Sequence, residues 1–188
     1  VPLLCLLAGG AEVDRRMTAW SQPNVAATAD SAYGRITIAE RLGQFAVFEN
    51  GALAFDTEGV SAEALVHLAA LQHPDPDRVL VLGGGIAGHL GEIRKHRPKK
   101  IDTVVLDPVL LDLAEAVLPE SVRGPLRAEG TEVVVDDPRR FLDRAGAYDL
   151  ILAVLPEPLS GQTNRFYTAE FFNACAQRLA PGGLLAFS

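Results

Sequence analysis

The hydrophobic pattern changes character twice along this chain. Residues 9–31 are polar and mixed, with Pro23, Asn24, Asp30 and Ser31, and they read as a linker or loosely held arm. From 33 to 55 the pattern becomes short strand-like runs at 35–39, 45–49 and 52–55, broken at Gly43 and at Asn50-Gly51, a hairpin-turn dipeptide. This spacing predicts a small antiparallel β-module over 32–57. Apolar residues then recur at helical intervals over 61–72, with Leu65, Leu68, Ala69 and Leu71 as the expected inward face, until His73-Pro74-Asp75-Pro76 stops the helix.

Beyond this point strands and helices alternate. Strands are expected at 78–82, 102–106, 132–135, 149–155 and 184–187, and helices at 88–96, 108–118, 138–144 and 168–179. Continuous apolar strands alternating with helices predict an α/β fold, a doubly wound parallel sheet covered on both faces. The expected organisation is a leader and linker over 1–31, the β-module over 32–57 and a Rossmann-like domain over 58–188. Five strands are few for an open doubly wound sheet, so the domain reads as truncated at its C-terminus, with further strands expected beyond residue 188.

One segment carries chemistry. Residues 79–88 read VLVLGGGIAG, an apolar strand running into glycines, and Gly83, Gly85 and Gly88 have the G-x-G-x-x-G spacing, with Gly84 between them. A chain leaving a strand for a helix must turn sharply and let its backbone approach a ligand, which residues without Cβ do at least cost. An acid, Asp107, follows about 20 residues later at the end of the next apolar run, as in nucleotide-binding folds. Asp107 suits ribose hydroxyls, and it equally suits the N-cap of a helix starting at Pro108. Asp137, before Pro138, has the same two readings, with an adenine amino group as its ligand. Asp136 reads as a second such acid or as a solvated strand end.

Composition narrows the choices. The chain has 188 residues, of which 48% are hydrophobic, enough for one well-filled core. Its 17 basic and 24 acidic residues provide no broad positive field, so nucleic acid is excluded as an expected partner. The two cysteines, Cys5 and Cys175, stand far apart without any Cys/His cluster, so neither a disulfide framework nor a metal site is expected, and a reducing cytoplasmic setting fits. Residues 1–8 (VPLLCLLA) are apolar but span less than half of the ~20 residues a membrane helix needs. They read as a buried or disordered leader, or as the tail of a preceding membrane helix that would tether the domain.

Several motifs in order resemble one family. They are Tyr33-Gly34-Arg35, Glu49-Asn50-Gly51, Glu63-x-x-x-His67 with His73-Pro74, VLVLGGG, LDP at 106–108, DDPRRFL from Asp136, YDLIL from Tyr148 and PEPLSGQTNRFYTAEFF from Pro156. From about residue 33 onward the chain resembles the polyamine aminopropyltransferases, spermidine synthase and its relatives. The last motif is especially similar to spermidine-synthase-like domains fused to membrane transporter-type helices.

This resemblance implies a methyltransferase-like Rossmann fold behind a small β-domain. It also implies S-adenosylmethionine, its decarboxylated form or methylthioadenosine as ligand rather than a permanently bound cofactor. Gly83, Gly84, Gly85, Gly88, Asp107 and Asp137 would bind that ligand, a small amine would be the acceptor, and a homodimer is a further expectation.

The family's acids carry over only in part. Its glycine-loop aspartate is Ile86 here, the first acid of its ribose E-x-D is Val105, and its catalytic aspartate is Val154. Valine can neither accept a proton nor attract an ammonium, which leaves Glu157 as the only acid in that loop and the candidate catalytic residue. The other reading of Glu157 is a solvated loop carboxylate flanked by prolines. Three functions follow: aminopropyl transfer in impaired or altered form, a catalytically inactive sensing or regulatory domain of a larger membrane protein, or methyl transfer. His67 reads as a packed or capped histidine rather than a ligand, Phe166, Phe171 and Phe172 as core, Tyr167 as core or pocket lining, and Arg139, Arg140 and Arg144 as a solvated helix face.

Overall fold

A computed structural model of the protein describes residues 24–57, 60–158 and 161–188. The apolar leader and Cys5 lie outside the described residues. Four antiparallel strands form the first sheet in sequential order: β1 (Val25–Asp30), β2 (Arg35–Arg41), β3 (Gln44–Glu49) and β4 (Ala52–Asp56). Asn50 and Gly51 take φ of 52° and 81°, the two positive values that a tight hairpin turn requires. Strand β1 corrects the reading of this stretch as part of a linker. Its VAATAD sequence has little hydrophobic signal of its own, and it becomes a strand by pairing along β2 from Asp30↔Arg35 to Val25↔Ala39.

The second sheet is parallel, with order β7-β6-β5-β8-β9: β5 (Arg78–Gly83), β6 (Lys100–Val105), β7 (Thr131–Val135), β8 (Tyr148–Val154) and β9 (Leu179–Phe187). Helix α1 (Ser61–Gln72) precedes β5. The crossovers carry α2 (His89–Arg94), α3 (Pro108–Val117), α4 (Glu120–Arg127), α5 (Pro138–Arg144), α6 (Gly161–Asn164) and α7 (Ala169–Ala176). Because side chains alternate across a strand, β5 feeds two cores. Val79 and Val81 join Leu90, Ile93, Leu118 and Leu126 on one face, while Leu80 and Leu82 join Phe141, Leu142 and Phe171 on the other. Strand β8 divides in the same way, with Leu150 and Leu152 on the first face and Ile151 and Ala153 on the second. The first core also takes in Ile36, Ile38 and Val47, so the antiparallel sheet is joined to it, with α3 packed beneath β1 and β2.

Other elements differ from expectation, among them the short α6 in what reads as a loop. In α1 the inward face is Ala62, Val66, Ala69 and Ala70, whereas Leu68 and Leu71 are 65% and 78% exposed. Apolar residues occur on every side of this helix, so periodicity alone does not identify the buried face. Helix α4 was not among the expected helices; it contains Gly124 and Pro125, yet Val122 and Leu126 one turn apart bury it against the sheet. Strand β9 begins at Leu179, and its Pro181-Gly182-Gly183 stretch is accommodated by a register shift against β8 between Tyr148 and Leu150. No helix among the described residues is long and apolar enough to cross a membrane.

At the end of the parallel sheet away from the glycines, the Tyr148 hydroxyl donates to Asp102 Oδ2 at 2.7 Å, Lys100 pairs with Asp102 and Glu132, and the Arg78 guanidinium lies over the Tyr148 ring. Burial and the Asp102 carboxylate raise the Tyr148 pKa, so its proton stays in place. Replacing it by phenylalanine leaves a buried carboxylate oxygen short of a donor. We expect Tyr148→Phe to lower unfolding free energy by about 1–3 kcal/mol in urea denaturation, with the fold unchanged by circular dichroism.

Candidate functional site

The carboxyl ends of β5, β6, β7 and β8 meet at one edge, and strand order reverses there between β5 and its neighbours, β6 on one side and β8 on the other. In open parallel sheets this is where ligands bind. Gly83 and Gly84 turn out of β5 with φ of 72° and 62°. A Cβ on Gly83 would collide with the Val154 carbonyl, and one on Gly84 would lie 2.6 Å from the Val154 Cβ. A Cβ on Gly85 would lie 2.6 Å from the Thr103 hydroxyl, and Gly88, with φ 86°, caps α2 above Ala62. The four glycines therefore share one turn, and three of them press against neighbouring strands.

A residue that sequence reasoning passed over holds this turn. His89 is only 4% exposed, and its Nδ1 lies 3.1 Å from the Gly84 carbonyl oxygen, so Nδ1–H donates. The Ala87 amide donates to the same oxygen at 3.0 Å. Burial lowers the His89 pKa, which keeps the ring neutral. A histidine one turn beyond a glycine loop was the available signal.

Asp107 ends β6, is largely buried, and caps α3 by accepting from the Val109 amide at 2.9 Å. Cap geometry uses Oδ1, and a carboxylate has a second oxygen with further acceptor capacity. Glu49, at the end of β3, approaches from the antiparallel sheet, and burial followed by the Asp107 charge raises its pKa. The two sheets thus bring two carboxylates to one place.

At the end of β7, Asp137 caps α5 through the Arg139 amide at 2.9 Å and accepts from Arg165 at 2.6 Å through its other oxygen. Asp136 is not a solvated strand end: its side chain is 4% exposed and is held by Arg140 and Arg144. Those arginines are themselves exposed, as expected of a helix face, but they serve as a clasp. Their hydrogen bonds, Arg144 first, lower the Asp136 pKa to about 2.

Glu157 lies exposed in the loop after β8, near enough to Tyr167 that its charge, after burial, raises the tyrosine pKa. The Tyr167 hydroxyl sits 3.0 Å from the Leu155 carbonyl oxygen and 3.2 Å from that of Ser188. Phe166 and Phe171 are core, in edge-to-face contact. Ile86 and Val105 are 2% and 4% exposed, and Val154 lies against Gly84, so apolar packing occupies all three positions. Among the described residues no three His, Cys, Asp or Glu side chains converge in a way that would hold a metal ion.

A glycine turn at the strand-order reversal, an acid ending the neighbouring strand and a small antiparallel sheet above it define a methyltransferase-like Rossmann domain. The chain belongs to the spermine/spermidine synthase family, whose domain matches residues 58–187. It is 35% identical over 162 residues to the polyamine aminopropyltransferase of Oceanobacillus iheyensis, covering 83% of this chain and 32% of that protein. It is 37% identical over 124 residues to polyamine aminopropyltransferase 2 of Hyperthermus butylicus, covering 64% and 41%. The chain thus spans less than half the length of either relative. Among solved structures, a spermidine synthase in complex with the transition-state analogue AdoDATO matches with TM-score 0.81 and 25% identity, over 87% of this chain and 57% of that one. Spermidine synthase from Thermotoga maritima shares the fold, with TM-score 0.77 at 23% identity, over 87% of this chain and 56% of that one.

Two outcomes follow from this geometry. Gly85→Ala is expected to destabilise by roughly 1–3 kcal/mol through collision with Thr103, and adding Thr103→Ala should recover part of the loss, measured as a double-mutant cycle in urea. Asp136, with its folded pKa below the ordinary 3.8, contributes stability that is fully present above about pH 4 and lost as pH falls toward 2. Asp136→Asn should therefore flatten that limb of the stability–pH curve.

Proposed function

We propose that this domain binds a thioether or sulfonium adenosine ligand, namely decarboxylated S-adenosylmethionine, S-adenosylmethionine or methylthioadenosine, and transfers an aminopropyl group to a small amine in altered form. The backbone of Gly83, Gly84, Gly85 and Gly88 borders the ligand, Asp107 takes the ribose hydroxyls, and Asp137 takes the adenine amino group. Asp107 carries the reading most directly: it is largely buried at the carboxyl end of β6, beside the strand-order reversal, and its charge reaches Glu49. Two carboxylates there favour a cationic sulfonium over a neutral thioether.

In the reaction the nitrogen lone pair of a neutral amine attacks the propyl carbon attached to sulfur. The carbon–sulfur bond breaks in line, its electron pair stays on sulfur as methylthioadenosine leaves, and the new ammonium sheds a proton. Glu157 is the carboxylate in the loop after β8 that would take it, directly or through water. A second reading, a sensing domain that binds the ligand without turnover, is favoured by the apolar packing at Ile86, Val105 and Val154. A homodimer and a membrane tether belong to this proposal as properties of a longer parent protein.

Isothermal titration with the three ligands tests binding. Micromolar affinity for one of them is expected, weakened about tenfold in Asp107→Asn, which keeps a capping oxygen while removing the charge. No binding by a folded sample would overturn both readings. Val154→Asp separates them: this position is only half buried, so the variant should fold and raise aminopropyl transfer if the scaffold is competent. Ile86→Asp and Val105→Glu should instead lose about 3 kcal/mol or more of stability, because each buries an unpaired charge.

A further inference from the structure

A hydrogen-bonded relay lies behind the glycine turn, between α1 and α2. His67 Nδ1 is 2.7 Å from His96 Nε2, and His67 Nε2 is 3.0 Å from Glu92 Oε2, which also accepts from Lys95 at 2.5 Å. His67 stands on α1, Glu92 and Lys95 on α2 and its end, and His96 on the turn that follows. Glu92 also lines a cavity of about 190 Å³ with Thr57, Ala62, Glu63, Ala87 and Gly88. The relay therefore braces the two helices that flank the glycine turn, and one of its members walls the space beside Gly88.

The proton count of such a relay is limited by geometry. With both rings neutral, His67 donates to Glu92 through Nε2–H and accepts from His96 at Nδ1. One added proton is still accommodated: His67 then donates from both nitrogens, and His96 accepts at Nε2. A second proton would place N–H against N–H across 2.7 Å, and the bond between α1 and α2 cannot survive it.

We infer that His67 and His96 are positioning residues for the glycine turn, which admit one proton and lose their mutual hydrogen bond on taking a second, so that Glu92 alone then ties α2 to His67 and the end of α2 is freed to shift. The charges around the pair act in both directions. Burial and His67 lower the His96 pKa, Glu92 and Asp75 raise it, and Lys95 lowers it again. Glu63 on α1, His73 at its end, Arg94 on α2 and Arg97 on the turn after it are the other charged or titratable groups of these elements. His89 is the other histidine at the turn, but it bonds Gly84 and takes no part in the relay. The lowered His96 pKa means that the folded state takes its second proton at lower pH than the unfolded chain. Stability therefore rises with pH across the histidine range until the unfolded imidazole is neutral. The effect on ligands rests on the nucleoside reading above, whereas the effect on α2 does not.

Nitrogen-15 NMR of the histidine rings from pH 8 to 5, in the protein and in His96→Gln, tests the device. The expected result is two coupled steps, with the amides of Ala87 and Gly88 shifting in the second, and loss of both the coupling and those shifts in the variant. Independent titration of His67 and His96, or Gly88 shifts that persist in His96→Gln because they come from His89, would overturn the inference. Methylthioadenosine supplies the second readout: its affinity should fall roughly three- to tenfold from pH 7.5 to 5.5 in the unmodified protein and stay level in His96→Gln. Equal affinity at both pH values in the unmodified protein also overturns it. Absence of binding at pH 7.5 with the coupled steps intact refutes the nucleoside reading and leaves the α1–α2 switch standing.

Discussion

Strands β5 and β8 impose the constraint on which the rest depends. They are neighbours in the middle of the parallel sheet, and each sends alternate side chains into opposite cores. Neither face can be left to solvent, so helices must cover both, and the crossovers between strands supply them. Because the chain runs outward from β5 to β6 and β7, then returns across to β8 and β9, the connections leaving the two central strands run to opposite faces, while the strands themselves stay paired as far as Gly83↔Val154. The crevice above those ends is therefore a consequence of burying both faces of the centre.

The antiparallel sheet extends this economy rather than standing apart from it. Ile36, Ile38 and Val47 share a core with Val66, Val79 and Leu90, and α3 carries β1 and β2 on its outer side. Helix α3 in turn starts at Asp107, so the residue that ends β6 also helps to set where the small sheet rests. Glu49 ends β3 along this route, where burial and, after it, the Asp107 charge raise its pKa.

Much of this was legible in the sequence where one signal dominated. Apolar runs identified β5, β6 and β8, and Asn50-Gly51 identified a hairpin turn. Asp107-Pro108 and Asp137-Pro138 marked helix starts that the structure shows as caps. Legibility failed where pairing or packing overrides local preference. VAATAD has no strand signal apart from β2, Pro125 sits in a helix held by Val122 and Leu126, and Leu68 and Leu71 mimic a buried stripe on an exposed face. The candidate site was legible as a set of positions, but its couplings were not. Spacing suggested neither the His89 bond to Gly84, nor Arg165 on Asp137, nor the contact between Gly85 and Thr103.

The glycine turn carries a consequence for inheritance. Gly83 and Gly84 are required by the carbonyl and side chain of Val154, and Gly85 by Thr103, whether or not anything binds. Purifying selection for folding alone would thus preserve the spacing after catalysis had been relaxed, because a lineage that lost the chemistry would still discard alanine at these sites. In such a lineage the motif would persist for its geometry alone. In a descendant of this kind, evidence of present use lies in the residues that folding does not need, such as the exposed carboxylate of Glu157.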